Sequence, residues 1–266
     1  MTNDLGTPAL RFEWDGPLAW CTIDRPSARN ALTPAMYYGI KRAVHLVNQA
    51  EEATALIITG TDDVFAPGGD LGGRTDEGEE PVPEYIGNDI LPFLAVRDSR
   101  APVISSVNGL CQGGGLLIAM LSDIAVCSDR AVFRSPELLR GIPDAFYAST
   151  LPAHVGLAVA RDMLLSGRKL DAQEAKQLGM VARVVPHDEL RDATVEAAHD
   201  VLRSAPMARA HVKRMLNERY GHVDIQTMSW ALAESDELHE GMLSFMEKRA
   251  PAWIPEGVDA KPKSGR

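Results

Sequence analysis

The stretch "NGLCQGGGLLIAML", residues 108–121, sets three consecutive glycines directly before an apolar run. Glycine loses more freedom on folding than any other residue and packs no side chain. A chain that spends three of them here uses the main chain itself for a task. "PVISSVNG" ahead of them reads as a strand, and "GGGLLIAMLS" as a strand-to-helix junction that Gly114 opens. The first N–H groups of a helix have no partner inside it and carry partial positive charge. Such an end can receive a ligand oxygen. A second glycine loop, "FAPGGDL" (residues 65–71), follows another short strand-like run, "ALIITG". Neither loop has the GxxxxGK[ST] or GxGxxG pattern, so neither marks a nucleotide or dinucleotide site. Two main-chain N–H groups meeting at one oxygen would form an oxyanion hole.

Outward from these loops, strands and helices alternate. Asp15-Gly16 sits between two alternating segments and predicts a hairpin. Thr33 followed by Pro34 predicts a helix start, with Met36, Ile40, Ala43, Val44 and Val47 on one face. "DIAVCS", "AVFRS" and "MVARVVP" read as strands, and "NDILPFLAVRDSR" as a helix begun or kinked at Pro92. Asp171, Glu174 and Gly179 mark the two ends of a short helix. This alternation to about Pro186 predicts an α/β domain with crossover connections. From Asp188 to Glu247 the pattern is helical, and the last stretch, "IPEGVDAKPKSGR", reads as a loose tail. Residues 61–83 form a long Gly- and acid-rich loop, of the length that often serves as a lid or binding element, with the charges of "GEEPVPE" read as solvated.

Composition narrows the function. The 266-residue chain is 45% hydrophobic and 24% charged with a formal net charge of −10, ordinary for a globular protein. An acidic chain without a basic stripe argues against nucleic acid and anionic membrane surfaces as partners. No apolar run reaches membrane-spanning length, and "MTNDLGTPALRFEWDG" lacks a secretory pattern. Cys21, Cys111 and Cys127 are scattered, which fits a reducing, cytoplasmic location. His45, His154, His187, His199, His211, His222 and His239 lack ligand spacing, so no metal is expected. Gln112, polar beside the glycines, either faces a ligand or satisfies the backbone.

Five segments in order resemble the enoyl-CoA hydratase/isomerase (crotonase) superfamily over nearly the whole chain. They are "IDRPSARNAL", "VFAPGGDL", "PVISSVNGLCQGGGLLIAMLSDIAVCS", "AVFRSPELLRGIP" and "EGMLSFMEKRAPAW". The resemblance implies a crotonase-like α/β spiral of ββα units over residues 1–200. It implies a helical C-terminal region, residues 201–266, that builds a homotrimer or a dimer of trimers. It implies an acyl-CoA thioester as substrate, coenzyme A entering only as part of that substrate and no separate cofactor. The thioester oxygen would lie between the N–H groups of Gly69 and Gly114. Ala28, Ala66, Gly68, Asp70, Leu71 and Leu117 would line the substrate, and Arg25 and Arg29 would be phosphate contacts.

The resemblance also locates a departure. Family hydratases carry one glutamate after the triple glycine and a second after the proline of Pro-Glu. Here the second is Glu137, and the first position holds Leu117. Leucine neither exchanges a proton nor orients water. A single buried glutamate suits a double-bond shift, since one group can take a proton from C2 and return it at C4. Double-bond isomerisation is therefore expected over hydration, with a silent acyl-CoA binder as the non-enzymatic alternative. Asp144 in "GIPDAFY" is either a second catalytic acid or a helix N-cap, or, in a further enzymatic alternative, a nucleophile.

Overall fold

The computed structural model describes residues 4–50, 54–73, 75–82, 91–220, 229, 232–233 and 236–254. Strands β1 (Leu10–Asp15) and β2 (Leu18–Ile23) form the expected hairpin, paired antiparallel from Leu10 opposite Ile23 to Asp15 opposite Leu18. Helix α1 (Pro34–Gln49) begins at its cap, where the Thr33 side chain accepts the Met36 N–H at 3.2 Å. Its buried face carries Tyr37 as well as Met36, Ile40, Ala43, Val44 and Val47.

Strands β3 (Ala55–Gly60), β5 (Val103–Val107), β7 (Ile124–Ser128) and β10 (Arg183–Val185) extend the hairpin into a sheet of order β1-β2-β3-β5-β7-β10, parallel from β2 onward. A second sheet, β4-β6-β8-β9, is built from β4 (Val64–Ala66), β6 (Leu110–Gln112), β8 (Val132–Arg134) and β9 (Lys169–Asp171). β3, β5 and β7 are each followed at once by a strand of the other sheet. The chain therefore winds as a spiral, and each turn lays one strand in each sheet.

Helices close the turns. α2 (Phe93–Arg97) follows Pro92, and α3 (Gly114–Leu121) follows β6. α4 (Ala145–Val155), α5 (Leu157–Ser166) and α6 (Ala172–Gln177) fill the interval between β8 and β10. In α3 every residue from Gly115 to Leu121 is buried. It packs on β4, β5, β6 and β7 and on α2 and α4. Enclosure on all sides explains a sequence apolar all round rather than striped. Each fully buried leucine or isoleucine there contributes about 1.5–3 kcal/mol.

Two segments are shorter or split relative to their sequence pattern. "MVARVVP" supplies only Arg183–Val185 to the sheet. "LDAQEAKQLG" begins in β9, and Asp171 then caps α6 by accepting the Glu174 N–H at 2.8 Å. The helical C-terminal pattern gives α7 (Leu190–Leu202), α8 (Pro206–Tyr220) and a last helix, Glu237–Glu247. That last helix packs on the turn Leu138–Arg140. The stretch 224–228 of the long amphipathic pattern, Pro83, and residues 255–266 of the tail lie outside the described residues. Among the described residues no helix is long and apolar enough to cross a membrane.

Candidate active site

The two glycine loops meet. A Cβ placed on Gly68 would lie 3.3 Å from Gly113 Cα and 3.5 Å from Gly114 N. The first loop is held by Leu32, whose N–H donates to Gly68 O at 2.9 Å and whose carbonyl accepts the Asp70 N–H at 2.8 Å. These bonds bracket Gly69 and leave its own N–H without an acceptor among the described residues. The second loop is held by the Gly113 N–H, which donates to Arg134 O at 3.2 Å. α3 starts at Gly114, so its N–H is one of the helix's free donors. Two unpaired main-chain donors thus stand on adjoining loops.

Each glycine of the triplet has a separate cause. Gly113 adopts φ 56°, and a Cβ there would lie 3.1 Å from the Glu137 Oε1. A Cβ on Gly114 would collide with the Tyr37 hydroxyl, and one on Gly115 with the Ala66 carbonyl. Close approach, joined at Gly113 by a positive φ, explains the run.

A cleft of about 460 Å³ opens over these loops. Gly68, Gly69, Asp70, Leu71, Gly114, Leu117, Glu137 and Asp144 all line it, as does Gln112. The structure therefore brings together most of the residues singled out in the sequence. Ala28 and Ala66 are not among its walls. Ala66 is fully buried, packed beneath the start of α3, and Ala28 sits in the short turn Pro26–Ala28. Leu91, Phe93, Ile142 and Phe245 add apolar surface.

Glu137 is 8% exposed, and its Oε2 accepts from Ser135 Oγ at 2.7 Å. Burial pushes its pKa up to about 7, a rise that the Ser135 hydrogen bond opposes and the nearby Asp144 charge reinforces. Asp144 caps α4. Its Oδ1 accepts the N–H of Phe146 at 2.8 Å and of Tyr147 at 3.1 Å. Burial raises its pKa too, against those two hydrogen bonds. Asp144 is thus a helix cap and also a cleft carboxyl. Tyr147, fully buried, donates to Gly113 O at 2.7 Å and braces the second loop.

Arg25 departs from its expected role as a phosphate contact. It is buried, with Nη1 2.7 Å from Asp70 and Nε 2.5 Å from Asp76. Both ion pairs favour its charged form. It ties the first glycine loop to the chain beyond it and has no free face for a phosphate. Glu79 and Glu80 of "GEEPVPE" are also not simply solvated. Glu79 accepts from Thr33 Oγ1 at 2.5 Å and Thr7 Oγ1 at 3.3 Å, and Glu80 pairs with Arg42 at 2.7 Å.

Sequence reasoning missed Tyr37 and Ser135. A signal for Tyr37 existed, because positions 37, 40, 44 and 47 share a helix face. Nothing local marked Ser135.

A spiral of this kind with paired main-chain donors over an acyl-sized cleft defines a class, and comparison with known proteins agrees. The family model described as Enoyl-CoA hydratase/isomerase matches residues 14–256, and the chain belongs to that family. A carnitinyl-CoA dehydratase of Salmonella arizonae is 33% identical over 257 residues, covering 92% of this chain and 98% of that one. A probable mitochondrial enoyl-CoA hydratase of Dictyostelium discoideum is 31% identical, covering 91% and 89%. The crystal structure of an enoyl-CoA hydratase/isomerase from Pseudoalteromonas atlantica superposes with a TM-score of 0.78 at 30% identity, covering 92% of this chain and all of that one.

Proposed function

We propose that the cleft binds an acyl-CoA thioester and that its chemistry is a proton shift through the thioester enolate, most simply isomerisation of an enoyl-CoA double bond. The thioester oxygen accepts the N–H groups of Gly69 and Gly114. These donors gain strength as charge moves onto the oxygen, so they lower the barrier to enolate formation. Glu137 takes the proton from C2 of a 3-enoyl thioester. The C2–H electron pair passes into a dienolate over O, C1, C2, C3 and C4. Glu137 then returns the proton at C4, leaving a C2–C3 double bond and a restored carbonyl. A carboxyl whose pKa lies near 7 serves in both directions.

The observation that carries this reading is that the cleft is lined by the buried Glu137 carboxyl and, at the other position where a carboxyl is expected, by the apolar Leu117. Incubation of the protein with 3-hexenoyl-CoA, followed by NMR, is expected to give 2-hexenoyl-CoA. Crotonyl-CoA should be hydrated far more slowly. Rapid hydration without isomerisation would overturn the reading.

Asp144 supports a second reading. It brings another carboxyl into the same cleft, and with Glu137 it would form the pair that reversible hydration or dehydration employs. In that case Asp144→Asn abolishes hydration while an isomerase tolerates it. Release of unchanged 2-enoyl, 3-enoyl and dienoyl thioesters would instead favour a silent binder. The assembly that goes with this function is a homotrimer or a dimer of trimers. Exposed Met207, Val212, Met215 and Leu216 on α8 support such an association.

A further inference from the structure

Tyr37 is not part of the two-donor scheme, yet its side chain lies inside it. The ring is packed edge-on against Phe93, with centroids 6.0 Å apart and planes at 80°. Its hydroxyl occupies the space a side chain on Gly114 would fill, and a Cβ on Gly69 would lie 3.6 Å from the same oxygen. The hydroxyl therefore lies close beside both glycines whose N–H groups are unpaired. Tyr37 is 9% exposed and lines the cleft. Among the described residues its hydroxyl has no hydrogen-bond partner.

A hydroxyl on the cleft wall with no partner among the described residues can donate to a ligand oxygen, which a phenylalanine in the same packing could not. We propose that the Tyr37 hydroxyl donates a third hydrogen bond to the thioester oxygen held by Gly69 and Gly114, so that the enolate oxygen has two main-chain donors and one phenolic donor. This rests on the acyl-CoA reading of the cleft. Burial, together with the charges of Glu137 and Asp144, holds the phenol protonated, so it is available as a donor throughout the working pH range. No electron transfer or covalent step is involved. The hydroxyl keeps its proton while the neighbouring oxygen gains charge.

The test is Tyr37→Phe, which keeps the ring against Phe93. Three quantities are read: the Kd of butyryl-CoA, the carbonyl stretch of bound [1-13C]butyryl-CoA, and the rate of α-proton exchange into D2O. In the variant, exchange is expected to slow on the order of a hundredfold, the lower end of the range seen when one oxyanion donor is lost. The carbonyl stretch should move to higher frequency, while Kd should change by less than about threefold, because the ground-state oxygen is only weakly charged. Unchanged exchange and an unchanged stretch would overturn the tyrosine's role and leave the acyl-CoA reading intact. A loss of affinity as large as the loss of rate would also overturn it, since that marks a packing role. Failure of the unaltered protein to bind butyryl-CoA would sink the acyl-CoA reading, and this inference with it.

Discussion

Ser135 Oγ donates a 2.7 Å hydrogen bond to Glu137 Oε2 from two residues upstream. The hydroxyl favours the charged carboxylate, while burial favours the neutral acid, and burial wins, leaving the group near pH 7. A base so placed must lose its proton before it can act. kcat/KM for isomerisation should therefore rise with pH through about 7. Ser135→Ala removes the opposing hydrogen bond and should carry that rise to higher pH, with the plateau largely retained. A pH–rate profile of both proteins checks this, and an unshifted profile would show that Glu137 is not the titrating base.

Glu137→Gln should cost on the order of 10²–10⁴ in kcat, the range of a general acid–base group. It also has a signature in stability. The folded pKa, about 7, lies above the ordinary 4.5. The folded state therefore binds the extra proton, and stability declines as pH rises from about 4.5 to 7. At pH 8 the buried charge costs about 3 kcal/mol by this shift. The glutamine variant should lose that part of the decline, and denaturant titrations at pH 5 and 8 measure it.

The two parts played by Asp144 are separable. Asparagine keeps an oxygen that can cap α4. Asp144→Asn should leave the melting temperature nearly unchanged, whereas Asp144→Ala should cost about 0.5–2 kcal/mol. A rate loss in the asparagine variant without a stability loss would assign the residue to chemistry.

Arg25→Met removes the guanidinium that Asp70, whose side chain is only 3% exposed, and Asp76 both meet. Breaking a buried ion pair from one side costs about 3–5 kcal/mol. Calorimetry should show a loss of that order. Charge alone does not explain such a loss, and Arg29→Met, at an exposed position, serves as the control.

Gly113→Ala combines a φ of 56° with crowding against the Glu137 carboxyl. Strain of this kind costs about 1–3 kcal/mol. Activity should fall further than stability, because the carboxylate must move to make room. A variant with full activity would mean that Glu137 does not need its present position.

Much of the architecture was legible along the chain because its signals are local. Thr33 caps the helix it precedes, Asp15-Gly16 turns the hairpin, and Asp171 accepts the Glu174 N–H, each within a few residues. The glycine loops and the Pro-Glu pair are also contiguous motifs, so Gly69, Gly114 and Glu137 could be named from their resemblance to the family's segments. Leu117, at the position where the family resemblance expects a glutamate, is legible in the same way.

Other features arise between segments distant in sequence, where no local pattern records them. Arg25 reads as a free cation until Asp70 and Asp76 fold over it. The Tyr37 hydroxyl finds Gly114 only when α1 packs against the second loop, 77 positions on. Tyr147 meets Gly113 across 34 positions. The acidity of Glu137 belongs to its surroundings, since removing water from around a carboxyl depends on every element packed over it. The sequence by itself determined the alternation of strands and helices and the place of the glycine loops, because backbone preferences and burial patterns are written position by position; the spiral was legible only through the family resemblance. Tertiary structure alone decided which charges are consumed in ion pairs, which hydroxyl lies beside Gly69 and Gly114, and where Glu137 titrates, because those are properties of distance and desolvation.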